Sequence, residues 1–451
     1  MLVSSVEQES WLAQMCSWAG PGAVKGLSCR VARGIVAALA SAEHPMLLVS
    51  SDDVREYVRS RPYLSERIDA ATLVAEEIGD GNLNLVLVCR DAQGRGVCLK
   101  QSLPYVRLVG DSWPLTQQRT AAEARWYEAV SEVAPNLAAL CYGFDQDNHV
   151  IALEDLSESS VWRKELLAGD PCSEAAAAMG LLVARMSFST SWMALGISKA
   201  RRRAATHLNV ELCEITEDLV FTEPLIDHPH NSVGPGLTDA VARLRNDGDL
   251  RCGVDMLRAR FVEHGEALIH GDLHTGSVMV GRSAAGATAK AIDGEFCCYG
   301  PVGFDLGTLF ANYLFAEVRA AVLGLAAASR DVGELSRITW DSFVAEMRSL
   351  WETSPPRGWS QPFLEQWLEA VGADSVGFAG CEALRRIIGL AKVADIESLP
   401  ADAYDLAGRA TLDIAATWIG LFLSHSVSRP ARAGQVVESA RNIAAERLDS
   451  T

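Results

Sequence analysis

The sequence predicts an α+β chain of two lobes, strand-rich first and mainly helical afterwards. Three observations carry this. From about residue 72, short apolar runs alternate with turn residues, the pattern of paired strands. Beyond Glu158 the chain reads as mainly helical, apart from two short segments. The 451 residues, 49% hydrophobic and 22% charged, suffice for a large core in two or three domains or in two lobes.

The elements follow in order. Residues 1–45 alternate short helical patterns with Gly and Pro ("GPGAVKG", "AEHP") and read as an N-terminal extension. "SSDDVREYVRSRPYL" predicts a capped helix, with Val54, Tyr57 and Val58 on its apolar face. "ATLVAEEIGDGNLNLVLVCR" and "GVCLKQSL" flank the polar turn "DAQGRG" and predict a hairpin. "LTQQRTAAEARWYEAVSEVAP" predicts a helix ending at Pro135, and "LAALCYGFDQDNHVIALEDLS" two more strands around a turn at Asp145–Asn148. The lobes divide near residues 155–160, giving segments 46–157 and 158–451. The Ala-rich stretch 320–329 is a good helix former.

Charge and cysteine usage narrow the function. A formal net charge of −18 disfavours a general nucleic-acid binder, which needs a cationic footprint. It leaves room for an anionic cofactor, because a phosphate site needs only a few local donors and a metal. Eleven Cys are scattered without CxxC or zinc spacing, which fits reduced thiols in a cytoplasmic protein. The N-terminus does not read as a signal peptide. No apolar stretch reaches the roughly 18 residues a membrane span needs. "AMGLLVARMSFSTSWMALGI" comes nearest, contains Arg185, and reads as a buried helix.

Four constellations carry chemistry. "EEIGDGNLN" sets Gly79 and Gly81, followed by Asn82, between strand-like runs, where backbone N–H groups can approach phosphates; an ordinary tight turn has the same pattern. Lys100 closes the next strand, and a helix bearing Glu123, with Glu128 nearby, follows. A lysine held by such a glutamate can grip nucleotide phosphates. "LIHGDLHTGSVMV" contains Asp272, suited to orient or deprotonate a hydroxyl. The loop resembles the catalytic loop of kinases, but Ser277 stands where an Asn normally binds metal. In "AIDGEF", Asp293 and Glu295 are two apart, and in an extended segment would point to one side as a hard-oxygen Mg²⁺ site. Glu295 can then supply the ligand that Ser277 cannot. Asp305 is expected to cap a helix and brace the loop. Arg385 and Arg386 are adjacent on a helix, about 100° apart, a pattern usual for a surface.

Together, "EIGDGNLN", "KQSLPYVRLVGDSWPLT", "HGDLHTGS", "IDGEFCCYGPVGFDLGTLFAN" and "RRIIGLAKVADIE" resemble the 5-methylthioribose kinases, of the aminoglycoside-phosphotransferase-like branch of the protein-kinase-like fold. The resemblance covers roughly residues 47–425. It implies a bilobal protein-kinase-like fold, with nucleotide bound by 46–157 and acceptor by 158–451. It implies ATP (or GTP) and Mg²⁺ as cofactors, and a sugar or nucleoside-like small molecule as acceptor. It further implies Asp272 as the catalytic residue, Asp293 and Glu295 as metal ligands, and Lys100 as the nucleotide lysine. Arg385 and Arg386 would lie near the sugar. Glu154 to Leu156 would pair with adenine through backbone groups. Two departures stand out: Gly294 where the family usually has Pro, and the N-terminal extension. An antibiotic phosphotransferase of the same fold and a nucleotide-binding pseudokinase scaffold are the competing readings. No nucleic-acid or membrane partner is expected; a homodimer is compatible with the sequence.

Overall fold

In a computed structural model, the residues described are 46–48, 50–78, 83–105, 113–284, 286–428 and 434–449. The N-terminal extension and Gly79, Gly81 and Asn82 lie outside them. Leu48–Thr451 form one compact unit. The α+β expectation holds: an antiparallel sheet occupies the first part and helices most of the rest.

Helix α1 (Ser51–Arg59) starts with a capping box in which the Ser50 hydroxyl accepts from Asp53 N–H and Asp53 accepts from Ser50 N–H. Such a cap contributes about 1 kcal/mol. Val54, Tyr57 and Val58 are its buried face, as their spacing predicts.

The five-stranded sheet runs in the order β1 (Val74–Glu77), β2 (Asn84–Arg90), β3 (Gly96–Ser102), β5 (Val150–Glu154), β4 (Cys141–Asp145). The β2–β3 hairpin sets Val86 opposite Lys100, and β3–β5 sets Lys100 opposite Ile151. Lys100 therefore sits in a central strand paired on both sides. Helix α2 (Arg119–Val133) packs on this sheet.

The small strands β6 (Ser160–Val161), β8 (Val278–Ser283) and β9 (Gly286–Ala291) form a second sheet, and β7 (Ala267–Ile269) pairs with β10 (Cys298–Gly300). Helices α3 (Trp162–Leu167), α4 (Ser173–Thr190), α5 (Gly248–Glu263), α6 (Val302–Val322), α7 (Leu335–Thr353), α8 (Gln361–Ile388), α9 (Ala401–Ser428) and α10 (Gln435–Asp449) make the helical part. Its core joins α4, α6, α7, α8 and α9. Close helix approach requires small residues: a Cβ at Gly307 of α6 would lie 2.6 Å from the Ser375 carbonyl of α8.

Two expectations are corrected. The stretch 320–329 is not one helix: α6 ends at Val322, Gly324 takes φ 72°, and a new helix starts at Ala326. A left-handed glycine terminates the helix despite its alanines. A segment in α9, Ala401–Ser426, is also long and apolar enough to cross a membrane by length and composition. It packs instead against α8, and half of its most apolar window is buried within the protein.

Candidate active site

Helix α2 shapes one side of the site. Its residue Glu123 is buried and receives the Lys100 ammonium at 2.8 Å. The other helical candidate, Glu128, is exposed. Lys100 is also paired with Asp293. Burial alone would lower the lysine's pKa, but Asp293, Glu123 and Glu295 raise it well above the usual range. Burial pushes Glu123 up to about 7 against the pull of Lys100.

One helical turn on, Trp126 stands edge-on to the His270 ring at 4.8 Å. The Tyr127 hydroxyl accepts from Asp293 N–H at 3.2 Å, and Cys297 Sγ donates to the Ala122 carbonyl at 3.1 Å. The face of α2 is thus molded onto residues 293–297.

Asp293 and Glu295 do not lie in an extended segment, as their alternation suggested. Asp293 has φ 71°, and Gly294–Phe296 form a 3₁₀ turn. The turn still brings the two carboxylates together with that of Glu123, with one ligand oxygen from each lying within 4.8 Å of the others. It also separates their environments. Asp293 is half-exposed, whereas Glu295 is buried, receiving Asn84 Nδ2 at 2.9 Å and facing Arg119 Nε at 3.2 Å. Lys100 holds Asp293 below the usual carboxylate range, outweighing desolvation, while burial raises Glu295.

Asn84 and Arg119 are site residues that sequence reading missed. Arg119 is fully buried and donates to the Leu83, Leu103 and Thr116 carbonyls and to Asn84 Oδ1. It ties the ends of β2 and β3 to Glu295. An arginine at the exposed-looking start of a helix gave no signal of this.

The second side is the loop after β7. Asp305, in the first turn of α6, accepts from His270 N–H at 2.7 Å and Gly271 N–H at 2.9 Å, bracing the loop as expected. It makes no side-chain cap on its own helix. Gly271 has φ 82°, and a Cβ there would meet the Phe296 carbonyl at 2.3 Å. His270 Nε2 bonds the Ile292 carbonyl at 2.9 Å, and its Nδ1 accepts from Asp272 N–H at 3.2 Å, so the ring links both acidic segments.

Asp272 points between a guanidinium and an imidazole. Its Oδ1 lies 3.6 Å from Arg385 Nη2 and its Oδ2 3.5 Å from His274 Nε2. Burial, then the guanidinium charges of Arg163 and Arg386, hold His274 well below the usual histidine range, so it is neutral at pH 7. Ser277 Oγ lies 3.1 Å from His274 Nδ1 and is buried. The hydroxyl in the Asn position therefore fixes the histidine.

Arg385 and Arg386 are not on the surface. Both donate to the buried Glu382, Arg385 to one oxygen and Arg386 to the other, at 2.7 Å for the latter. Residues three and four apart share a helix face, so one carboxylate one turn earlier can hold adjacent arginines. The two guanidinium charges pull Glu382 below the usual carboxylate range against its burial. Arg163 of α3, also missed from the sequence, joins this cluster by bonding Asn312 Oδ1 at 2.6 Å and facing Asp395 at 3.5 Å.

A cavity of about 40 Å³ opens beside Asp272 and Arg385, with Leu219, Val220, Phe296 and Phe304 among its walls. Leu219 and Val220 belong to a π-helical stretch, Glu217–Thr222, a form frequent at functional sites. At the end of β5, Glu154 turns its carboxylate to Lys290 at 2.6 Å and its N–H to the Leu140 carbonyl. The Leu156 carbonyl accepts from Ser159 N–H.

The donors of Glu123, Asp293 and Glu295 are all hard oxygens, and Oε1 of Glu123 is buried without a hydrogen-bond partner among the described residues. Such a set suits a divalent cation of the Mg²⁺ kind.

The sequence model of the phosphotransferase enzyme family matches residues 74–340. The methylthioribose kinase of Yersinia pseudotuberculosis serotype IB (strain PB1/+) is 39% identical over 358 residues, covering 77% of this chain and 86% of that protein. That of Yersinia enterocolitica is 39% identical over 365 residues, 78% and 88% respectively. That of Citrobacter koseri is 38% identical over 362 residues, again 78% and 88%. The chain belongs to the phosphotransferase enzyme family, in which methylthioribose kinases are its relatives.

Proposed function

We propose that this phosphotransferase moves the γ-phosphoryl group of ATP to the anomeric hydroxyl of 5-methylthioribose. The observation that carries the reading is the setting of Asp272. Its carboxylate lies beside a small cavity with apolar walls and faces Arg385. A sugar with a methylthio tail needs such a mixture, with donors for ring oxygens and an apolar wall for the tail.

In this reading residues 46–157 bind the nucleotide and 158–451 the acceptor. Gly79, Gly81 and Asn82 approach the phosphates, Lys100 grips them while Glu123 orients it, and backbone groups of Glu154 to Leu156 take the adenine. Asp293 and Glu295 would hold Mg²⁺, whose charge would offset that of the phosphates. Asp272 accepts a hydrogen bond from the attacking hydroxyl, aligns it and takes its proton as the new O–P bond forms and the bond from the γ-phosphorus to the bridging oxygen breaks, releasing ADP. Arg385 neutralises charge that develops beside it, and Arg386, sharing Glu382, braces Arg385.

The arginines also weigh against a polycationic aminoglycoside acceptor. Arg163, Arg385 and Arg386 gather near Asp272, and their compensating carboxylates Glu382 and Asp395 are buried among them. Three guanidinium groups against three carboxylates, Asp272 included, leave no excess negative charge there to draw the ammonium groups of such an acceptor.

The test is an acceptor screen with ATP and GTP, run on the wild type and on Asp272→Asn. Phosphorylation of methylthioribose by the wild type is expected to dominate. Asp272→Asn should lose at least about 10²-fold in kcat while nucleotide affinity stays near wild type. A preference for a ribose-bearing antibiotic would overturn the acceptor. A parallel loss of nucleotide affinity would overturn the role of Asp272.

A further inference from the structure

Outside the site just described, the loop after the π-helical stretch gathers two imidazoles and a carboxylate. Glu223, buried, sets both its oxygens 3.0 Å from Nδ1 of His230, and Oε2 lies 3.5 Å from Nδ1 of His228. One donor atom from each of the three lies within 4.8 Å of the others. We infer that Glu223, His228 and His230 form a binding site for a transition-metal ion of the Zn²⁺ class, separate from the Mg²⁺ site and beyond the phosphotransfer activity.

Chemistry selects the metal. Imidazole nitrogens suit Zn²⁺ and its neighbours, whereas Mg²⁺ prefers oxygens. Zinc bonds to N and O are about 2.0–2.2 Å, so tetrahedral ligand atoms stand roughly 3.3 Å apart. The 3.0 and 3.5 Å separations bracket that value. Nδ1 of His228 accepts a long hydrogen bond from His230 N–H at 3.3 Å, and a metal would take the place of that donor at its lone pair. Nδ1 of His230 would release its proton to solvent as the metal replaces it beside Glu223. Both histidines are about one-third exposed, which leaves a fourth position for water.

The ligands are held before any metal arrives. Asn231 Nδ2 donates to the Glu223 and Ile226 carbonyls at 2.8 and 3.0 Å, closing the loop on itself. Ser232 N–H donates to the Ile388 carbonyl at 2.9 Å, fixing the loop to the end of α8 just beyond Arg386. On the other side Trp113 stacks on His230 at 5.2 Å and 16°. A metal here would tie these three segments together.

The experiment is metal retention by the full chain. Protein loaded with Zn²⁺ and dialysed against millimolar Mg²⁺ is assayed for bound zinc, and Co²⁺-loaded protein is read by visible absorption. About one Zn²⁺ per chain is expected, with Co²⁺ bands of low coordination number in the wild type. His228→Gln, His230→Gln and Glu223→Gln should each lose the zinc, while Glu295→Gln should keep it. The histidines are partly exposed, so their variants should fold, which thermal denaturation checks. The wild-type cobalt spectrum is independent of every variant. No retained zinc, retention that survives the histidine substitutions, or loss from Glu295→Gln at a temperature where it is folded would each overturn the site. None of these outcomes depends on which acceptor is phosphorylated.

Discussion

Trp126 fills the space into which a side chain at Gly294 would project. A Cβ there would lie 2.6 Å from Cδ2 and Cε3 of the indole, closer than real contacts allow. The glycine between Asp293 and Glu295 thus belongs with Trp126. The indole closes against the turn and reaches His270, so α2 braces both acidic segments at once. A proline, which the Asp-Pro-Glu form of the motif carries, would meet the same ring.

Gly294→Ala should therefore destabilise the protein by about 1–3 kcal/mol, the usual cost of forcing atoms into a packed site. Trp126→Leu combined with Gly294→Ala should cost less than the sum of the two single changes, because the smaller side chain removes the clash. Thermal denaturation of the three variants checks this. A Gly294→Ala protein as stable as wild type would mean that the indole moves aside freely.

Glu295 and Ser277 compete for the role of the missing asparagine, and their surroundings separate them. The Ser277 hydroxyl is engaged by His274, whereas Glu295 adds charge near Asp293. Glu295→Gln should raise the Mg²⁺ concentration needed for half-maximal activity more than Ser277→Ala does. It should also lower stability by a few kcal/mol, since Arg119 would be left buried without its counter-charge. A Mg²⁺ titration of both variants decides the point. If Ser277→Ala is the more damaging, the metal shell has been assigned to the wrong residue.

A pH effect is expected far from the site. Burial pushes Glu317 of α6 from 4.5 up to about 8, against the partial pull of Arg441. The fold then holds this proton more tightly than the unfolded chain does. Its stabilisation is complete below about pH 4.5 and is lost as pH rises towards 8, on the order of a few kcal/mol across that window. Glu317→Gln, neutral at every pH, should gain stability over wild type as pH rises from 5 to 8. Equal melting temperatures at pH 8 would show that the carboxyl ionises without penalty.

What the sequence made legible is local, and what it hid is long-range. The hairpin with Lys100, the helix ending at Pro135 and the apolar face of Val54, Tyr57 and Val58 are set by neighbours along the chain. Periodicity and turn residues report those directly. Asp272, Asp293 and Glu295 stood out through short spacing in rare combinations. Arg119 and Asn84 did not, because their value lies in reaching Glu295 from 176 and 211 residues away. Arg163 meets Arg386's surroundings through Asp395 in the same long-range way. The αL backbone of Asp293 was equally hidden, since an Asp in that region leaves no mark on the pattern around it.

The angular separation of the paired arginines is the pattern usual for a surface, whereas the resemblance set them near the sugar, and Glu382 shows why the angular argument alone was incomplete. A single buried carboxylate, one turn earlier, holds both guanidinium groups, and only Arg385 then also faces Asp272. This asymmetry gives the two residues different expected behaviour. Arg385→Ala removes a charge next to the Asp272 carboxylate and should cut acceptor kcat/KM by about 10²-fold or more, the scale of one lost stabilising donor. Arg386→Ala acts through Glu382 and Arg385, so it should cost less in kcat/KM. Lysine at 385 should rescue only in part, because a point charge cannot reproduce the guanidinium fork. Glu382→Gln tests the brace itself. It leaves two buried cations sharing a neutral amide, so stability and acceptor kcat/KM should fall together while the nucleotide KM stays put. If Glu382→Gln loses stability yet keeps its acceptor kcat/KM at a temperature where it is folded, the carboxylate is structural only. If Arg385→Ala phosphorylates its acceptor at wild-type efficiency, the cation beside Asp272 has no part in the transfer, and the acceptor must be held by other groups around the cavity.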